Sequence, residues 1–89
     1  MKKQKKLLTY RKQLDKIDNK VLELIKKRFS ICRKVGKYKK ENGFNIEDKK
    51  REKEILKKHC GEKKLSKGFV RKLFSLILRQ SKLIQKREK

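Results

Sequence analysis

The 89-residue chain has no proline, no tryptophan and no alanine. Genome bias and design both produce such a lysine-, isoleucine- and leucine-rich alphabet, and it states no function by itself. Acids are scarce: 10 Asp plus Glu stand against 32 Lys plus Arg, a formal net charge of +22. So large an imbalance calls for an anionic partner such as a nucleic acid, an anionic membrane surface or a small anionic metabolite, and it works against compactness through self-repulsion. No apolar run is long enough to span a bilayer. The start, "MKKQKKLLTYRKQLDK", is basic but lacks an apolar signal core and a small-residue cleavage site, so a cytoplasmic location is expected. The two cysteines, Cys32 and Cys60, are far apart, and His59 beside Cys60 has no second cluster to complete a metal site. They read as reduced thiols, with no metal ligands among them. Also missing are a catalytic triad, a phosphate-binding glycine loop and a hydrolase-type acid pair. An enzyme made from what remains works by holding and polarising an anion.

What is present is helical. Hydrophobic residues make up 34% and charged residues 47% of the chain. A composition this charged approaches the disordered regime, but a heptad pattern argues for a specified buried face. Leu7, Leu14, Val21 and Val35 occupy one seam position, and Tyr10, Ile17, Leu24, Ile31 and Tyr38 the other. This predicts a first helix from about residue 5 to 41, stopped by "ENG" at 41–43. At roughly 50 Å it is too long for a monomeric three-helix bundle of this size, so it needs a partner. Gly36 within it costs about 1 kcal/mol relative to alanine and points to close packing. A second helix is expected over about 49–60, capped by Asp48, with Ile55, Leu56 and Cys60 as its few apolar residues. After "GEKKLSKG", with Ser66 a candidate cap, a third helix over about 66–86 carries Phe69, Val70, Leu73, Phe74, Ile77, Leu78 and Ile84 on one broad face. The expectation is an all-α, three-helix chain forming one domain over 1–89, without internal repeats or a domain linker. A small domain buries a low share of its surface, which a second copy would improve.

Three groups of polar residues stand where apolar ones belong. Arg28 interrupts the seam between Val21 and Val35. It sets register, or the seam shifts onto Ile25, Phe29 and Cys32, or it lines a cavity that receives an anion, since a lone guanidinium among apolar groups is costly. Lys39 is eleven residues on, which returns it to nearly the same face about 16 Å along the axis. Ser81 and Gln85, four apart, continue the stripe of Phe74, Ile77 and Leu78; they mark either a polar pocket or a helix end meeting water. Asp48, Arg51 and Glu52 group at the second helix start, as a capped terminus or as a carboxylate site able to accept a hydroxyl hydrogen bond.

In order, "LLTYRKQLDKIDNKVLELIKKR", "VGKYK", "NIEDKKRE" and "LFSLILRQSKLIQ" resemble the all-helical chorismate mutase family over about residues 7–86. The pattern is R-x2-[LI]-D-x-[LI]-D, then R, G-x2-K, D-x2-R-E and S-x3-Q. Each fragment is weak alone; the ordered set is specific. The resemblance implies an intertwined homodimer with two shared sites and a cofactor-free, one-step rearrangement of chorismate to prephenate. It assigns the substrate carboxylates to Arg28, Arg51 and the partner's Arg11, with help from Ser81. It gives the breaking ether oxygen to Lys39 and Gln85, and the ring hydroxyl to Glu52 with the backbone around Asp48. Helix geometry agrees on one point: Arg11 and Arg28, 17 residues apart, are about 25 Å apart on one helix and cannot grip the same small ligand.

The chain departs from the family pattern at Asn45, where proline is common, at Arg79, where an acid is usual, and in a short connection between the second and third helices. It leaves no room for the domains often fused to this module, so a stand-alone, excised or designed form is expected. A lyase on the same scaffold that releases pyruvate from isochorismate is one alternative. A basic nucleic-acid-binding helical dimer is another, although no reading motif is present and the few aromatics sit in apolar stripes. Neither a specific nucleic-acid partner nor a membrane partner is expected.

Overall fold

A computed structural model describes residues 2–87. The ends of the expected 1–89 domain, residues 1, 88 and 89, lie outside the described residues. The chain forms α1 (Lys2–Glu41), α2 (Lys49–His59) and α3 (Lys67–Arg87), and no strand occurs among the described residues. None of these helices is long and apolar enough to cross a membrane.

Packing divides the described residues into two units, one ending at Ser30 and the other beginning at Ile31. Residues 2–30 are one unbroken stretch of α1. Its seam side chains Leu7, Tyr10, Leu14, Ile17, Val21 and Leu24 are all exposed, Leu24 at 64%. Ile25, Arg28 and Phe29 are half-buried. Within this stretch the less exposed stripe is the one through Ile25 and Phe29, not the heptad seam.

Residues 31–87 hold the last turns of α1 together with α2 and α3. Cys32 and Gly36 are buried on α1, Ile55 on α2, and Val70 and Leu78 on α3. Phe74, Ile77 and Ile84 of the expected α3 face are half-buried, whereas Phe69 and Leu73 are exposed. On α2, His59 stacks nearly parallel on Phe74 of α3 with centroids 4.4 Å apart. At Gly36, α1 packs tightly against Gln85 of α3. A Cβ there would lie 2.6 Å from Gln85 Cα and 2.7 Å from Gln85 O, so only glycine lets the two backbones meet.

The helix ends follow local chemistry. Gly43 takes the left-handed φ of 73° just past α1, and Phe44 N donates back to Lys39 O at 2.8 Å, a six-residue loop typical of a glycine stop. Asp48 caps α2 by accepting from Arg51 N at 3.0 Å. Ser66 caps α3 in the same way, accepting from Phe69 N at 3.1 Å.

Candidate active site

Lys39 sits in the last turn of α1, one turn beyond Gly36. Its Nζ donates to Ile46 O at 2.9 Å and to Gln85 Oε1 at 3.0 Å. An ammonium donates and never accepts, so the Gln85 amide must present its oxygen to Lys39 and keep its NH2 as a donor. Two of the three Lys39 N–H bonds are used, leaving one more donor on the same side chain.

On α3, Ser81 and Gln85 are buried, at 3% and 9% exposure. Of the two sequence readings, a helix end meeting water is thus excluded, and a buried polar stripe remains. Ser81 Oγ donates to Ile77 O at 2.7 Å within α3. Donation to a ligand requires a change of its χ1 rotamer, an ordinary step for a serine.

At the start of α2, Asp48 spends its carboxylate on the cap. Arg51 is exposed and lies 3.7 Å from Glu54 across one helical turn, a weak pair in water. Glu52 is half-buried and is reached by a lysine that its sequence context does not single out. Lys82 Nζ is 3.0 Å from Glu52 Oε1 and 3.7 Å from Glu47 Oε1. Lys82 follows Ser81 and is one of 32 Lys and Arg in the chain; only the α2–α3 packing distinguishes it. Its pKa is raised above the ordinary 10.5: the hydrogen bond to Glu52 raises it most, desolvation opposes this by less, and the Glu52 and Glu47 charges and a hydrogen bond to Glu47 add to the rise.

Residues 46–52 are thus held from both sides, by Lys39 of α1 at Ile46 and by Lys82 of α3 at Glu47 and Glu52. The structure brings Lys39, Gln85, Ser81, Asp48, Arg51 and Glu52 into one unit. Arg11 and Arg28 belong to residues 2–30, where Arg11 is exposed and Arg28 half-buried.

An all-helical chain with buried neutral donors and an amine–amide pair at the end of an apolar stripe is suited to an enzyme that acts on a small anion without a nucleophile. The family model for chorismate mutase type II matches residues 10–86, and the chain belongs to that family: it is an isomerase of chorismate. It is 37% identical to the chorismate mutase of Methanocaldococcus jannaschii, covering 91% of this chain and 85% of that one. It is 33% identical to a bifunctional chorismate mutase/prephenate dehydratase of Buchnera aphidicola subsp. Schizaphis graminum, of which it spans 22%. Among solved structures, a conserved hypothetical protein from Pyrococcus furiosus superposes with a TM-score of 0.75 at 43% identity, covering 89% of this chain and 93% of that one.

Proposed function

We propose that the chain works as an intertwined homodimer, converting chorismate to prephenate at two sites that each combine residues of both subunits. The observation that carries the site is the Lys39–Gln85 bond, made by a cation and a buried amide where an apolar pair would otherwise pack. The exposed seam of α1 supports the dimer. Leu7, Tyr10, Leu14, Ile17, Val21, Leu24, Ile31, Val35 and Tyr38 are all exposed in the single chain. Covering one such side chain contributes about 1.5–3 kcal/mol, so a second copy laid along this seam gains far more than the thin core of one chain supplies.

In the rearrangement the ether C–O bond breaks as a C–C bond forms within one molecule. No nucleophile, proton transfer or cofactor is required. The site holds the compact conformer in which the two carbons meet, which removes an orientational cost. Arg28, Arg51 and the partner's Arg11 grip the two carboxylates; arginine suits this through its planar fork. Ser81 supports one carboxylate. Lys39 and the Gln85 NH2 donate to the ether oxygen as negative charge grows there, the role in which fixed donors act most strongly. Glu52 and the backbone around Asp48 receive the ring hydroxyl.

The test is the loss of chorismate ultraviolet absorbance with prephenate as product, with Arg28→Ala assayed alongside. We expect turnover by the parent and a fall of at least about 10²-fold in the variant, the scale set by removing one transition-state donor, while circular dichroism keeps its helical signal. Full activity in a folded Arg28→Ala protein would reject the assignment of Arg28.

A further inference from the structure

Glu52 is surrounded by a chain that carries 32 cations, and yet one of them holds it. Lys82 reaches from α3 to Glu52 Oε1 at 3.0 Å, and the two side chains keep only 29% and 23% of their surface. This is a charge-assisted hydrogen bond in a partly desolvated place. The same ammonium lies 3.7 Å from Glu47, whose side chain is 52% exposed. That second contact is longer and screened by water, so it adds less.

We propose that Lys82 is a positioning residue for the reaction: it fixes Glu52 as an ionised acceptor aimed at the ring hydroxyl of the substrate and anchors the start of α2 to the α3 stripe of Ser81 and Gln85. The proposal rests on the reading of Glu52 as the hydroxyl acceptor. The geometry suits the role. A carboxylate offers about four acceptor positions on two oxygens, and Lys82 occupies one at Oε1, which leaves Oε2 to receive a hydroxyl. Without a fixed cation, the carboxylate would turn to whichever lysine came near. Lys82 is also on α3, flanking the buried stripe of Ser81 and Gln85, so the helix that bears the neutral donors also sets the acceptor. The ether-oxygen donors and the hydroxyl acceptor thus share one rigid scaffold, as precise positioning requires. Lys82 does not touch the substrate in this account; it acts through Glu52.

The experiment is a double-mutant cycle in the full chain, with kcat and KM measured for the parent, Lys82→Met, Glu52→Gln and the double variant, and with Lys82→Arg as the charge-conserving control. Expected are a loss of about tenfold or more in kcat for Lys82→Met, the scale of one charge-assisted hydrogen bond, a smaller change in KM, and substantial recovery in Lys82→Arg. In the Glu52→Gln background, Lys82→Met should cost no more than about twofold, because its target is already gone. If Glu52→Gln is severely impaired while Lys82→Met matches the parent, the proposal fails and the reading of Glu52 stands. The proposal fails likewise if the two losses multiply in full, since Lys82 would then act independently of Glu52. If Glu52→Gln retains full activity, the reading of Glu52 fails and this proposal falls with it. Should Lys82→Met unfold at the assay temperature, Lys82→Gln, which keeps an N–H donor without the charge, takes its place in the cycle with the same criteria.

Discussion

Gly36 and Gln85 act as one feature. The Cβ of any larger residue at position 36 would meet Gln85 Cα, O and Cβ at 2.6, 2.7 and 3.0 Å. Two of these neighbours are backbone atoms, which cannot swing aside. Gly36→Ala gains about 1 kcal/mol of helix propensity but overpacks a tight contact, which costs about 1–3 kcal/mol. With three contacts at or inside 3.0 Å, the cost should fall at the upper end, and we expect a lower melting temperature. Catalysis should fall as well, because moving Gln85 breaks its bond to Lys39. A variant with unchanged stability and activity would show that α1 and α3 do not approach so closely in solution. Gly36, Ser81 and Gln85 were legible in the sequence because each interrupts a regular pattern with a residue of a different kind. Lys82 was not. Nothing local separates it from the other lysines, and its partners are contributed by α2 and by the connection before it.

Among the elements, α1 carries the most testable claim. Leu24 is 64% exposed in the single chain, and on such a surface Leu24→Glu should change stability by no more than about 0.5 kcal/mol. In the proposed dimer the same substitution places a carboxylate in the apolar seam. Sedimentation should then show monomer, or a melting transition strongly lowered and dependent on protein concentration. A Leu24→Glu protein that stays dimeric and equally stable would place the interface elsewhere. The helix ends were largely legible, since Asp48, Ser66 and Gly43 act through chemistry confined to a few residues. The start of α1 was not: it begins at Lys2 rather than near residue 5, in a lysine-rich turn that carries no capping signal but is helix-compatible. The stacking of His59 on Phe74 was also beyond sequence reading, because it depends on how α2 lies against α3. The orientation of the seam was legible only in part. The heptad marked an apolar face, but not that the chain's own helices cover the neighbouring stripe through Cys32 and Gly36.

Across the whole molecule, the charge of +22 dominates, and pairing two chains doubles it. Salt at about 0.15 M shortens electrostatic reach to about 8 Å. The melting temperature should therefore rise from low to moderate ionic strength as self-repulsion is screened. Over the same range kcat/KM for dianionic chorismate should fall, because attraction between the cationic protein and its substrate is screened too. A melting temperature that drops steadily with salt, or a kcat/KM indifferent to it, would remove the respective claim. The composition made this regime legible, although not which charges are shared locally and which merely repel.

One consequence concerns residues 46–52, which Lys39 and Lys82 grip from opposite helices. Lys82 has a pKa raised above 10.5. Its share of stability is complete below that value and disappears only as pH climbs past the raised one, so changes near neutrality leave it untouched. Ions in solution do reach it, most readily at the exposed Glu47 end. Added salt should accordingly make the helices sturdier while slackening the strap at the start of α2. Rigidity in this enzyme is then not a single property but two, tuned in opposite directions by the same solvent, and the best working conditions lie where a firm frame and a taut strap coexist.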